Sequence, residues 1–316
     1  DMKQVTAIEA KMGARYNDLE AKFLGYDTPN VELTTEELRF IYQLDNKIVS
    51  LGYGEDPRIE QIKQGRDIKA DLSSLLDLPQ EQISLTKDEA LSGGIVYHYG
   101  DLDLRSLTSA EGLTLPQSVG GALDLGSLTS AEGLILPDSV GGVIILYSLN
   151  SAEGLILPTR VDGGLDLSRL TSVEGLTLPD SVGGDLFLDG LTSAEGLILP
   201  TRVDHGLYLR GLTSAEGLIL PTRLNGGLDL SRLTNAEGLI LPDSIYGDLS
   251  LDGLTNAEGL ILPDSIYGYL SLDGLTNAEG LILPTMVGAN IELDSLNDED
   301  KQRLREQRPD LANKIV

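Results

Sequence analysis

The triplet Glu-Gly-Leu begins at Glu111 and returns at Glu132, Glu153, Glu174, Glu195, Glu216, Glu237, Glu258 and Glu279. Every step is 21 residues, without an insertion. A fixed period in this range means one supersecondary unit stacked on copies of itself, since a single unit cannot bury its apolar side alone. Residues 233–253 and 254–274 are near twins that differ at one position. The expected fold class is therefore an α+β repeat protein. Its array is a β-solenoid of about ten 21-residue rungs with two short parallel strands per rung.

The rest of the chain divides around that array. Residues 1–95 read as a helical N-terminal domain of three or four helices, with a loop near 86–95. Apolar residues recur at helical spacing through "VTAIEAKMGARYNDLEAKFLG". A second helix opens on the capping pair Thr34 and Glu37 and closes at Gly52. Pro57 stands at the start of another. Residues 96–296 form the solenoid. Residues 297–316 read as a C-terminal helix capped by Asn297 or Asp298, which covers the last rung as terminal repeats require. The helical N-terminal domain is expected to seal the other end.

One unit, "GLDLSRLTSVEGLTLPDSVGG" from Gly164, holds two alternating stretches, Leu165-Asp-Leu167 and Leu176-Thr-Leu178. Alternation of this kind gives a strand with one face inward. Each strand is expected to pair with its copy 21 residues on, about 4.8 Å along the stack. Thr171 and Glu174 have capping-box spacing, so one helical turn is expected between the strands. Pro179 is expected to end the second strand. The Gly before each rung (Gly121, Gly142, Gly163, Gly184) is expected to supply a bend with positive φ. His205 and Ala289 hold that position in two other rungs.

"LILPDSI" followed by "GDLSLDGLTNAEG" resembles the bacterial leucine-rich repeat, nearest the BspA-like surface-antigen type. There an "IxIPxSV" strand precedes a second half-rung. The unit here is shorter than is usual in that family, and Leu stands at the family's Cys and aromatic positions. The resemblance implies a curved right-handed solenoid used for protein contacts. It brings no binding residue and no partner with it.

Composition narrows the function. Cysteine is absent, which removes thiol nucleophiles, disulfides and Cys-based metal sites. The formal charge is −27. Residues 101–296 hold 27 acidic against seven basic residues and no Lys, so nucleic acid and anionic membranes are poor partners. A basic partner fits better. No apolar run is long enough to span a membrane, so membrane insertion is not expected, and the polar, charged residues 1–18 do not read as a secretory leader. The sequence does not fix a cellular compartment. Two His, His98 and His205, stand about five rungs apart and cannot share a metal. No motif for phosphate binding, hydrolase chemistry or zinc is present. The expectation is a non-enzymatic protein with no cofactor and no metal.

One column stands out. The residue between the two Leu of the second alternating stretch is expected to point outward. It reads Thr114, Ile135, Ile156, Thr177, Ile198, Ile219, Ile240, Ile261 and Ile282. The corresponding residues of the first stretch are mostly Asp or Ser. Three readings of the Ile stripe are open: ladder propensity of β-branched residues, self-association as a homodimer, and a groove for a foreign protein. Uniform Ile suits an identical partner best. For a foreign ligand, the case of a surface adhesin or an effector, the unlike residues Ile145, Tyr147, Phe187 and Tyr208 are the alternative patch. Tyr246, Tyr267 and Tyr269 form a further cluster. The nine Glu are read as capping groups rather than a Ca²⁺ column. Arg160, Arg202 and Arg223 are read as ion-pair partners beside the column of Asp138, Asp180 and Asp243.

Overall fold

A computed structural model describes residues 3–8, 33–44, 57–63 and 66–316. The chain divides into two compact units, Asp1–Leu85 and Thr86–Val316. The boundary lies ten residues before the one expected from sequence. The stretch expected to be a loop contains the short helix Lys87–Ala90, whose Ala90 joins the core of the array.

In the first unit the described residues are mainly helical: 3–8, Thr35–Ile41, Pro57–Lys63 and Ile68–Leu76. Thr34 and Glu37 form the expected reciprocal cap, with the Glu37 N–H donating to Thr34 Oγ1 at 3.2 Å and the Thr34 N–H to Glu37 Oε2 at 2.7 Å. That helix ends at Tyr42, and the expected end at Gly52 lies outside the described residues. Most of the first expected helix also lies outside them. Ile41, Ile59, Leu72 and Ile83 are fully buried. Arg66 donates two hydrogen bonds to Asp71, at 2.6 and 2.7 Å, and Tyr42 Oη donates a third at 2.6 Å. Burial works against the charged Asp71 carboxylate. Arg66 and Tyr42 outweigh it and hold its pKa below the usual value.

The second unit is a parallel β-solenoid with 21-residue steps. Ten two-residue strands, from Leu102–Asp103 to Ile291–Glu292, form one continuous parallel sheet. Each residue pairs with the one 21 positions on, as in Leu165 with Leu186 and Leu186 with Leu207. Inward Leu residues of successive rungs stack in a single aliphatic core, and Leu165, Leu167 and Leu170 are each 0% exposed.

The second column of strands is not where alternation places it. It follows the proline, at Ser118–Val119, Arg160–Val161, Ser181–Val182 and their equivalents. Rung-to-rung bonding on this side begins just after Pro, with the Asp180 N–H donating to Thr159 O at 2.8 Å. The physical reason is the proline itself. It offers no N–H, and a ladder only two residues long cannot lose a donor. Pro179 therefore precedes the strand rather than ending it. Leu176, Thr177 and Leu178 lie on an unladdered side of the coil.

The connection between the strands also differs from expectation. It contains no helical turn. The Glu174 N–H donates to Ser172 Oγ at 3.1 Å, not to Thr171, and Asn235 Oδ1 takes the same role for Glu237. This i, i+2 side-chain turn competes with a helical cap and wins. Thr171 Oγ1 instead donates to Asn150 O of the preceding rung at 3.2 Å, as Thr234 does to Thr213 O. The Gly of each Glu-Gly-Leu holds positive φ, from +70° at Gly112 to +78° at Gly217, whereas Gly142 and Gly184 do not. Gly142 is needed for closeness: a Cβ there would stand 2.5 Å from the backbone N of Ala122.

The C-terminal helix spans Asp298–Gln307, with Asn297 Oδ1 accepting from the Asp300 N–H at 2.9 Å. The chain then closes the last rung twice. Ile315 bridges Ile291 in parallel, which extends the ten-stranded sheet. Arg308 and Lys314 donate to backbone carbonyls of Leu283, Pro284, Thr285, Val287 and Gly288. Both open edges are thereby blocked.

Candidate interaction surfaces

The unladdered side of the coil carries the Ile stripe. Ile135, Ile156, Ile198, Ile219, Ile240, Ile261 and Ile282 are 76–84% exposed, while Leu134, Leu155, Leu197 and Leu218 beside them are buried. Thr177 interrupts the column, and Ile198 to Ile282 form an unbroken run of five rungs. A shallow depression lies between two of these rungs, lined by Ile240, Pro242, Ile261 and Pro263.

The stripe has unlike borders. On one side the Glu of every Glu-Gly-Leu is exposed, and each sits in a turn closed by a backbone bond such as the Leu197 N–H to Ala194 O at 3.0 Å. These carboxylates cap no helix, so the expected role fails for want of a helix. On the other side Asp138, Thr159, Asp180, Thr201, Thr222, Asp243, Asp264 and Thr285 are exposed. Arg follows the Thr in three rungs. Arg160 and Arg202 pair with Asp162 and Asp204, both at 2.6 Å, not with the neighbouring Asp column. Arg223 stands in register above Arg202, and among the described residues it forms no ion pair.

The ten-stranded sheet presents a second surface. Phe187 and Tyr208 stack on adjacent rungs, with ring centroids 4.5 Å apart and planes 8° from parallel. The Arg210 guanidinium lies 4.8 Å from the Tyr208 ring centroid. It pairs with Asp229 at 2.7 Å and Asp189 at 3.3 Å. Burial pushes the Asp189 carboxyl up, against the pull of Arg210. Ile145 does not join this stack, because Asp166 occupies the rung between Ile145 and Phe187, and the Tyr147 ring lies against Gly126 of the preceding rung. Tyr246 and Tyr267 stack separately, 5.0 Å apart. Arg210 was missed in sequence, although a cationic side chain two residues after Tyr208, in the turn that follows the strand Leu207–Tyr208, was a usable signal.

Among the described residues no group of three or more His, Cys, Asp or Glu is arranged to hold a metal ion. Among them, too, no helix is long and apolar enough to cross a membrane. Buried His98 donates its Nε2–H to Asp101 O, 3.2 Å away, while His205 is exposed. Comparison with protein-family models, curated proteins and solved structures finds no match for this chain.

Proposed function

We propose that the array is a non-enzymatic interaction scaffold that self-associates through the Ile stripe as a homodimer. The observation carrying this reading is the exposure of seven Ile side chains on a side of the coil without a ladder. Ladder propensity does not account for Ile where no ladder is made. Nor does the core, since the neighbouring Leu already fill it. A stripe nine rungs long and one residue wide covers roughly 400 Å², at the upper end of what a lone protein leaves uncovered. Light scattering tests the reading. The parent chain is expected as a dimer at tens of micromolar, and Ile198→Lys with Ile240→Lys as a folded monomer. A monomeric parent overturns it.

A second reading is favoured by the Phe187–Tyr208 stack with its acidic surroundings: recognition of a foreign, basic protein. A Lys-rich peptide titrated by calorimetry against the parent and against Phe187→Ala with Tyr208→Ala separates the two. Equal binding by both chains removes this alternative.

A further inference from the structure

We infer that the second copy docks in parallel, with the two-fold axis running along the solenoid, so that each rung faces the same rung of its partner. This rests on the self-association reading above and adds the orientation. The stripe alone offers roughly 400 Å² per copy, about half of what a standard stable interface buries on each side. The two bordering columns must therefore enter the contact, and their charges decide how the copies meet.

Two face-to-face symmetric arrangements exist. With the axis across the stripe, the copies run antiparallel, and the Glu border of one meets the Glu border of the other. Nine carboxylates then face nine, from Glu111 to Glu279. With the axis along the stripe, each Glu border meets the mixed border at the same height. Arg160, Arg202 and Arg223 then face Glu153, Glu195 and Glu216 of the second copy. Four rungs still set Asp against Glu, at Asp138, Asp180, Asp243 and Asp264. The like-charge conflict is nevertheless far smaller than in the antiparallel case, and juxtaposed like charges select against an arrangement. Arg223 supplies an independent sign. It is exposed and lies over Arg202, and the carboxylate whose charge it feels, Asp204, is already paired with Arg202 at 2.6 Å. Parallel docking gives it a carboxylate of its own.

The absence of Cys makes the test clean, because one introduced thiol takes one nitroxide label. Thr159→Cys and Thr285→Cys place labels at exposed positions beside the stripe, six steps or about 29 Å apart along the axis. Dipolar spectroscopy on each labelled dimer then gives the distance between copies. Parallel docking predicts equal distances at the two sites, both shorter than about 29 Å. An antiparallel pair gives unequal distances or, if centred midway, equal ones of at least that length, and either result overturns the orientation alone. A monomer in light scattering overturns the self-association reading itself. As a second arm, Arg223→Glu is expected to weaken dimerisation roughly tenfold, and adding Glu216→Arg to restore it. Failure of the pair to restore it counts against this docking.

Discussion

The backbone N–H of Tyr269 donates to Asp248 Oδ1 at 2.7 Å. These two residues are also the single difference between the twin units 233–253 and 254–274. The same device recurs where Asp101 accepts from the Ala122 N–H and Asp185 from the Gly206 N–H, both at 2.7 Å. An Asp at this position ties its rung to the next one. Asp248→Ala is accordingly expected to cost about 0.5–1.5 kcal/mol, and Tyr269→Ala clearly less, in denaturant unfolding of the two variants side by side.

Ile198 and Leu197 are neighbours in sequence with opposite surroundings, 84% and 6% exposed. Leu197→Ala removes core contacts and is expected to cost about 2–5 kcal/mol. Ile198→Ala in the monomer is expected to stay within about 0.5 kcal/mol of the parent. An Ile240→Lys, Ile261→Lys background, which leaves position 198 free, supplies the monomeric reference for both.

Gly196 holds φ +76° in the turn before Ile198. Ala in that region meets its own carbonyl, so Gly196→Ala is expected to cost about 1–2 kcal/mol. Gly→Asn at the same site recovers part of the loss, since Asn tolerates the left-handed region. Thermal melts of the two variants check the order.

His98 is buried, and burial lowers its pKa, against the opposing pull of the Asp101 carbonyl and the Glu89 charge. The folded value thus lies below the unfolded one of about 6.5. Below that pH the unfolded chain binds more protons, so stability falls as pH drops. Val119 fills the paired position in the next rung. His98→Val is expected to remove this acid sensitivity, so that the melting temperature of the variant gains on the parent between pH 7.5 and 5.5.

Arg308 donates to the carbonyls of Leu283 at 3.2 Å, Pro284, and Thr285 at 3.0 Å, and pairs with Asp310 at 2.6 Å. Arg308→Ala leaves those carbonyls to water and opens a strand edge. A loss of about 1–3 kcal/mol is expected, with faster amide exchange confined to the last rungs.

The period made much of the fold legible, because any residue finds its stacking neighbour by counting 21. Phe187 on Tyr208 and Tyr246 on Tyr267 are both pairs of that kind. Alternation misled at Leu176-Thr-Leu178. It reports which way side chains face, and it is blind to whether the backbone is paired. The exposure of the Ile column was readable for that same reason, and the second ladder was not. The turn at Thr171 failed differently. Thr-x-x-Glu and Ser-x-Glu coexist in one hexapeptide, and the choice of hydroxyl depends on a neighbouring rung that local spacing does not contain. Arg160 finds Asp162 rather than the Asp column because that carboxylate stands just past the strand Arg160–Val161, two residues along the same rung.

The hydrogen bonds between rungs join each storey only to those above and below, and that modularity reaches beyond one molecule. Excising residues 233–253 would join Arg232 to Leu254 and recreate the same local sentence, "SRLTNAEG", with no scar. Unequal exchange between the near-identical stretches of the gene would lengthen or shorten the tower by whole floors. The reach of its oily stripe would then be a heritable quantity, adjustable in increments of one isoleucine.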